Sequence, residues 1–333
     1  MVLLAAVEGG GTTWVAAIAK DHPENIIERA EWPTTSPAET LGLVRKWLDA
    51  RKFDALGVAT FGCIDPKLGS PTWGYITSTP KLDWRYTDVL GVIWDGKVPV
   101  QFDTDVNAPA LAEYMYNAEP GDTSCVYITV GTGVGVGVVV NSKPVHGLVH
   151  PEGGHMKIAP LEGDTFPGVC PFHGNCVEGL ASSVAVAKRK GCDRSELPNL
   201  SDDDEVWEHC AHALGSLCAS LVCGLSPERI VISGGVLQRA ALFPKIRKHF
   251  LKVLNEYIVH PKLTEENVGS FITPSKWGNT AGLIGALTLS RMALEGTQAP
   301  DTSSRARPLV PYLLAALGGA GIACVLLGLR KKA

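Results

Sequence analysis

The feature that most constrains the fold of this chain is a pattern that occurs twice. In each copy an apolar run leads through a turn rich in Gly and Thr into a second apolar run. The copies span residues 3–18 and 125–140, and they are therefore about 120 residues apart. Each copy is typical of a β-hairpin. We expect two duplicated lobes, each of which opens with one hairpin.

Helical and strand-like segments alternate along the rest of the chain. Their patterns predict helices at 37–50, 107–116, 176–190, 203–225 and 280–293, and strands at 55–61, 229–233 and a run that ends at 102–105. This mixed order with short loops predicts two α/β lobes with a cleft between them. The expected divisions are an N-terminal lobe at 1–117, a C-terminal lobe at 118–279, a helix returning to the first lobe at 280–295, and a linker at 296–308.

Composition limits the class of function. The 333 residues suffice for two domains with their own cores. A net charge of −4 gives no sign of the basic patch that nucleic-acid binding requires, so we expect no nucleic-acid partner. The nine cysteines are an odd number without a framework spacing, which favours free thiols in a reducing compartment.

The end of the chain predicts a membrane anchor. Residues 309–329 carry no charge, and Arg330, Lys331 and Lys332 follow directly. A helix of about 20 apolar residues spans the hydrocarbon core of a bilayer. We therefore expect a transmembrane tail anchor at 309–329 that leaves residues 1–308 facing the cytosol, in the outer mitochondrial or endoplasmic-reticulum membrane. The alternative interpretation of this segment is a buried core helix.

Three glycine-rich segments are candidates for nucleotide binding. Glycine lets the backbone approach an anion closely and direct its N–H groups at it. The turns at 9–12 and 131–133 have this composition, and each adds a Thr hydroxyl. Either turn alone is equally typical of an ordinary hairpin, but two at equivalent places in duplicated lobes would face one polyphosphate. Gly234 and Gly235 follow a predicted strand, where a nucleoside can lie against bare backbone.

Asp105 is the candidate catalytic carboxylate. Phosphoryl transfer to an alcohol needs a group that accepts the hydroxyl proton. Asp105 stands where a predicted strand ends and a helix begins. At such a position a side chain can face the cleft, or it can cap the helix instead. The sequence position leaves both interpretations open.

A cluster of His and Cys predicts a zinc site. His155, Cys170, His173 and Cys176 supply four ligands of the types that zinc prefers, on a short segment. A closed four-ligand site of this kind would be structural. Glu152 and Glu178 flank the cluster, either as hydrogen-bond acceptors for sugar hydroxyls or as ordinary solvated carboxylates.

These motifs together resemble the ROK family (repressor, open reading frame, kinase), and in detail its zinc-containing fructokinase subgroup. The resemblance covers residues 2 to about 295. It is carried by the segments Ser78–Lys81, Asp103–Ala108, Gly131–Gly135, His150–His155, Cys170–Ser182 and Gly234–Val236, in the order of the subgroup.

The resemblance implies the two-lobed α/β fold of the actin-like ATPases (ribonuclease H-like), and ATP-dependent phosphorylation of fructose to fructose 6-phosphate with Mg²⁺ and Zn²⁺. It implies that Asp105 is the general base. The other implied roles are phosphate binding by Gly10, Gly11, Thr12, Thr132 and Gly133, adenosine binding by Gly234 and Gly235, zinc binding by His155, Cys170, His173 and Cys176, and sugar binding by Asn107, Glu152, His155 and Glu178. Family members are often homodimers.

Two positions qualify the resemblance. His173 as the middle zinc ligand is the arrangement of the fructokinase subgroup and favours fructose. Thr13 stands where the family usually has Lys, so a charged phosphate contact is replaced by a neutral one. The alternatives left open are a kinase for glucose, mannose or N-acetylmannosamine, and a membrane-tethered sugar sensor without catalysis.

Overall fold

The two repeated hairpins form the centres of two five-stranded sheets. The computed structural model describes residues 1–296. Its strands are β1 (Leu3–Gly9), β2 (Thr13–Lys20), β3 (Ile26–Pro33), β4 (Ala55–Thr60), β5 (Tyr75–Ile76), β6 (Thr87–Asp88), β7 (Val100–Thr104), β8 (Ser124–Val130), β9 (Val134–Val140), β10 (Lys143–Pro144), β11 (Ile230–Ser233) and β12 (Ile272–Pro274). Its helices are α1 (Pro37–Asp49), α2 (Val89–Ile93), α3 (Asn107–Asn117), α4 (Val177–Ala181), α5 (Ser183–Lys190), α6 (Val206–Leu225), α7 (Leu242–Leu254), α8 (Val268–Phe271) and α9 (Ala281–Gly296).

The two sheets share one topology. The first has the strand order β3-β2-β1-β4-β7, and the second has β10-β9-β8-β11-β12. In each sheet the first three strands along the chain pair antiparallel, and the last two add in parallel on the other side. The expected duplication is therefore present in the backbone, and the two-lobed part of the predicted fold class agrees with it.

Local sequence explains these elements. All six residues of β4 are buried, as in a parallel strand covered on both faces. Helix α1 begins after Ser36, whose hydroxyl accepts a hydrogen bond from the Glu39 amide at 3.4 Å, and Pro37 occupies its first turn. The segment predicted as one helix at 176–190 is two helices, because Ser182 is extended and caps α5 through the Ala185 amide at 3.2 Å.

Helices α3 and α9 lie between the lobes and join their cores. Buried residues of both helices share one apolar cluster with β1, β2 and β8. The backbones meet without intervening side chains. A Cβ at Gly57 of β4 would lie 1.9 Å from the Ala286 carbonyl oxygen of α9. A Cβ at Gly285 would lie 2.3 Å from the Pro109 nitrogen of α3. Glycine at these positions sets the spacing of the lobes.

The prediction of a membrane anchor is wrong. No helix within residues 1–296 has both the length and the apolar character to cross a membrane, and 309–329 lies outside the described residues. An uncharged run shows that a segment avoids water, but it does not distinguish lipid from a protein core. The apolar helix α9, for example, is buried within the protein. Residues 1–296 therefore form the two-lobed α/β fold with no helix that could span a membrane, and the predicted transmembrane helix, membrane partner and tail-anchored localisation are not supported.

The contact at Gly57 yields a test of this arrangement. We expect Gly57→Ala to lower the free energy of unfolding by about 3 kcal/mol, because the new methyl group overlaps the backbone of α9. Denaturation in urea measures the change. Gly42→Ala in α1 is the control, since a Cβ there has no atom within 4 Å, and it should raise stability by about 0.5–1 kcal/mol. Equal stability of Gly57→Ala and the unmodified protein would contradict the close packing of α9 on β4.

Candidate active site in the cleft between the lobes

A cavity of about 1430 Å³ lies between the lobes. Most of the residues singled out in the sequence line it, namely Gly11, Thr12, Asp105, Thr132, Gly133, Glu152, His155, Glu178 and Gly235. The lining does not include Gly10, Asn107, Gly234, Cys170, His173 and Cys176. Each residue outside the lining is close in sequence to one that lines the cavity. The residues outside the lining can therefore support those that face the cavity.

The turn between β1 and β2 presents free backbone donors. The Gly10 amide donates to the Thr13 carbonyl at 2.9 Å, and the Thr34 hydroxyl donates to the Gly10 carbonyl at 2.8 Å. The amides of Gly11 and Thr12 have no hydrogen-bond partner within residues 1–296. Unpaired N–H groups on a glycine turn form a concave site for an anion.

The turn between β8 and β9 repeats this arrangement in the second lobe. The Gly131 amide donates to the Gly133 carbonyl at 2.9 Å. The amides of Thr132 and Gly133 are without a partner in the part of the chain that the structure describes. The Thr132 hydroxyl accepts a hydrogen bond from the Arg194 guanidinium at 2.9 Å. A second anion site with an adjacent cation therefore opens into the same cavity.

Gly234 and Gly235 follow β11. They lie at the same edge of the second sheet as the turn between β8 and β9, because β8 and β11 are parallel. Gly234 has φ of +100° and lies against the Val130 backbone, where a Cβ would be 2.5 Å from the carbonyl oxygen. A side chain at this position would clash. Gly235 lines the cavity and has open space around its Cα. The cavity therefore has bare backbone at its second-lobe side.

Asp105 does not cap helix α3. The Thr104 hydroxyl accepts from the Asn107 amide at 2.9 Å, which places the cap one residue earlier. The Asp105 amide donates to the Thr60 carbonyl at 3.1 Å and fixes the backbone against β4. Apart from a contact with its own backbone amide, its carboxylate forms no hydrogen bond or ion pair within residues 1–296. Burial raises the pKa of Asp105 to about 6, so the group is ionised at neutral pH and close to the pH at which it exchanges a proton.

Asn107 is buried beside the cavity rather than in it. Its side-chain Nδ2 donates to the Asp103 carboxylate at 2.8 Å, and its side-chain Oδ1 accepts from the Val138 backbone amide at 3.2 Å. Asp103 also contacts His146 of the second lobe at 2.9 Å. The side chain of Asn107 thus joins the lobes, and its polar atoms are occupied.

Glu152 and Glu178 approach the cavity from the second lobe. Burial raises the pKa of Glu152 to about 7, with further contributions from the charges of Asp105 and Glu178. The Glu178 carboxylate accepts from the Val134 amide at 3.1 Å. Burial, with the charge of Asp105, also raises the pKa of Glu8 in β1 to about 7. Several carboxylates therefore surround one cleft.

His150 is a site residue to which the sequence analysis assigns no role. Its Nε2 accepts from the Ile64 amide of the first lobe at 3.1 Å. Burial lowers the pKa of His150, so the ring is neutral and its proton lies on Nδ1, 3.5 Å from Glu152. Cys63, His150 and Glu152 lie close enough to hold a metal, but a protonated Nδ1 cannot bind one. The segment His150–Glu152, with the sequence His-Pro-Glu, was the available sequence signal.

The His/Cys cluster has the geometry of a four-coordinate metal site. The Nδ1 atoms of His155 and His173 are 3.3 Å apart, and the Cys170 Sγ lies 3.6 Å from each. The Cys176 Sγ lies 3.8 Å from the His155 Nδ1. Tetrahedral zinc with bonds of about 2.0–2.1 Å to nitrogen and about 2.3 Å to sulfur requires separations of about 3.3 Å and 3.6 Å. The donor set fits zinc.

The chain as a whole is similar to proteins of known family. Residues 4–293 match the model of the ROK family. A fructokinase of Zymomonas mobilis is 39% identical over 302 residues, which cover 87% of this chain and 97% of that protein. A fructokinase of Pediococcus pentosaceus is 37% identical over 295 residues, 88% of this chain and 99% of that protein.

A solved structure has the same fold. The ROK family glucokinase of Streptomyces griseus, in complex with glucose and AMPPNP, superposes with a TM-score of 0.69 at 22% identity, covering 87% of this chain and 99% of that one. At this identity the likeness bears on the fold alone. The match to the family model and the identity to the fructokinases confirm that the chain belongs to the ROK family.

Proposed function

We propose that this protein transfers the terminal phosphoryl group of ATP to fructose and forms fructose 6-phosphate, with Asp105 as the general base. The observation that carries the proposal is the Asp105 carboxylate, which has no partner on any other described residue, has a raised pKa, and lines a cavity with two turns of free amides. The relatives named fructokinases favour fructose as the acceptor.

Each group of residues in the cleft has a separate role in the reaction. The amides of Gly11, Thr12, Thr132 and Gly133 bind phosphate oxygens, Gly10 holds the first turn, and Gly234 and Gly235 lie against the adenosine. Asp105 accepts the proton of the sugar hydroxyl while the oxygen of that hydroxyl forms a bond to the terminal phosphorus. The bond from that phosphorus to the bridging oxygen breaks, and ADP leaves with the electron pair. Magnesium bound to the phosphates neutralises part of their charge.

The sugar is held from the second lobe. Glu152 and Glu178 accept hydrogen bonds from hydroxyl groups of the sugar. His155 contributes Nε2, because its Nδ1 faces the His/Cys cluster. Asn107 supports this site from behind through Asp103.

The zinc loop is a structural element in this proposal. His155, Cys170, His173 and Cys176 hold zinc in a closed site, which fixes the segment that carries His155 and leads into α4 with Glu178. We further propose the lobe divisions 1–117 and 118–279, with 280–295 completing the first lobe. The linker at 296–308 lies almost entirely outside the described residues.

Turnover by the full chain tests the proposal. A coupled ADP-release assay with magnesium-ATP should show preference for fructose over glucose, mannose and N-acetylmannosamine. Asp105→Asn should lower kcat at least about 100-fold, because the sugar hydroxyl loses its proton acceptor. Asp203→Asn, which removes an exposed carboxylate outside the cleft, is the control. Preference for another hexose would replace fructose, and retention of more than a few per cent of kcat by Asp105→Asn would remove Asp105 as the base.

The same variant should be more stable than the unmodified protein at neutral and higher pH. The folded-state pKa of Asp105 is raised, so its contribution to stability is fully present below its unfolded pKa and is lost as pH rises through about 6. We expect Asp105→Asn to gain about 1–3 kcal/mol at about pH 8, with the gain disappearing near pH 4. Chemical denaturation at each pH measures it. A gain that is independent of pH would show that the buried charge is not its source.

Metal analysis tests the zinc loop. The full chain should purify with about one zinc ion per molecule, and Cys176→Ser should lose the metal and melt at a lower temperature, because a closed site needs all four ligands. Cys223→Ser removes an exposed thiol outside the cluster and should leave both properties unchanged. Full zinc content in Cys176→Ser would contradict the ligand assignment.

A further inference from the structure

A lysine outside both glycine turns lies beside the first of them. Lys81 follows β5 in the segment Ser78–Lys81 and lines the cavity together with Gly11 and Thr12. Its Cε lies 3.7 Å from the position that a Cβ at Gly11 would occupy. The ammonium group is one bond further along the side chain, so it lies within reach of an anion bound at that turn.

The backbone of Lys81 is fixed. Its carbonyl accepts from the Trp84 amide at 3.0 Å. The Trp84 ring is buried and stacked on Trp14 of β2, with ring centroids 5.2 Å apart, and its indole N–H donates to the Thr35 carbonyl at 2.9 Å. These contacts hold the segment against the first lobe beside the turn.

The side chain of Lys81 has no protein partner. Its ammonium forms no ion pair or hydrogen bond with any of the 296 residues that the structure describes. The other two cations of the cavity lining are engaged: Arg194 donates to Thr132, and Arg239 is paired with Asp202 and several carbonyls. Lys81 is thus the cation of the lining that is available to a ligand.

The strand order assigns this cation to one end of the polyphosphate. β1 and β7 flank β4 in the first sheet, so the turn after Gly9 and Asp105 after Thr104 lie on either side of Thr60. The phosphoryl group that is transferred must lie near the base. The first turn therefore faces the terminal phosphate, whereas the second turn and Arg194 face the phosphates that remain on the nucleotide.

We propose that Lys81 binds the terminal phosphoryl group of ATP and stabilises its charge during transfer, supplying the cation that the first turn itself lacks at Thr13. The inference rests on the phosphoryl transfer proposed above. Lys81 stays protonated throughout, while the hydroxyl proton goes to Asp105 and the bridging oxygen leaves with ADP.

Nucleotide binding to the full chain provides a test that needs no turnover. Calorimetry would compare a non-hydrolysable ATP analogue with ADP. Lys81→Met should weaken the analogue roughly 10- to 100-fold, as expected for loss of a charge-assisted hydrogen bond, and should leave ADP affinity unchanged. Lys81→Arg should restore most of the loss. Lys67→Met removes an exposed lysine of the connection between β4 and β5, outside the cavity lining, and is the matched control.

Kinetics add a second readout. In the fructose assay Lys81→Met should lower kcat at least about 10-fold with the KM for fructose unchanged. Equal weakening of both nucleotides, or no change in either, would overturn the role of Lys81. If no hexose is phosphorylated but Lys81→Met selectively weakens the ATP analogue, the proposed reaction fails while the assignment of Lys81 stands.

Discussion

The structure depends on one constraint, the direct contact between the backbones of β4, α9, α3 and β9. Gly57 admits the Ala286 carbonyl of α9, Gly285 admits the Pro109 nitrogen of α3, and Gly137 admits the Val106 carbonyl, with would-be Cβ distances of 1.9, 2.3 and 2.0 Å. Side chains that repack cannot vary a spacing set by backbone atoms. The two sheets are therefore held in one relation, and the cleft lies where their strand ends face each other.

This constraint also fixes the electrostatics of the cleft. Asp105 lies two residues before the start of α3, and Glu8 lies against α9 near Gly282, so the packing that joins the lobes also desolvates both carboxylates. Burial raises the pKa of each, and the charge of Asp105 adds to the raised pKa of Glu8. Keeping these groups ionised costs stability in the free protein. A nucleotide with magnesium and a protonated lysine would offset part of that cost. Nucleotide binding would therefore stabilise the buried charges of the cleft.

Sequence patterns predicted the features that depend on neighbours in the chain. The hairpins follow from apolar runs joined by turns rich in Gly and Thr, and the His/Cys cluster follows from the spacing of Cys170, His173 and Cys176. Features that depend on distant contacts were not predictable in this way. The choice between Thr104 and Asp105 as the cap of α3 depends on which side chain the neighbouring lobe leaves in the cleft. The occupation of Asn107 by Asp103 and Val138 depends on the second sheet.

The membrane prediction was wrong for a related reason. An apolar composition indicates that a segment avoids water, but it does not indicate whether lipid or protein surrounds the segment. Lys81 and His150 show the complementary limit. Each stands in a segment that marked the family, but a motif does not say which atom faces which partner. The role of His150 follows from the Ile64 amide, 86 positions away in the chain, which fixes the ring proton on Nδ1.

The His/Cys cluster joins the metal site to the substrate site through a single side chain. His155 faces the cluster with Nδ1 and lines the cavity, and Cys176 directly precedes the short helix that carries Glu178. A metal bound at the cluster would fix the ring of His155 and the start of α4 together. Two of the three proposed sugar contacts would then be positioned by one ion that never touches the sugar. The third, Glu152, is positioned from the first lobe through His150 and Cys63. Recognition of the sugar would thus require both the loaded loop and the correct placement of the two lobes.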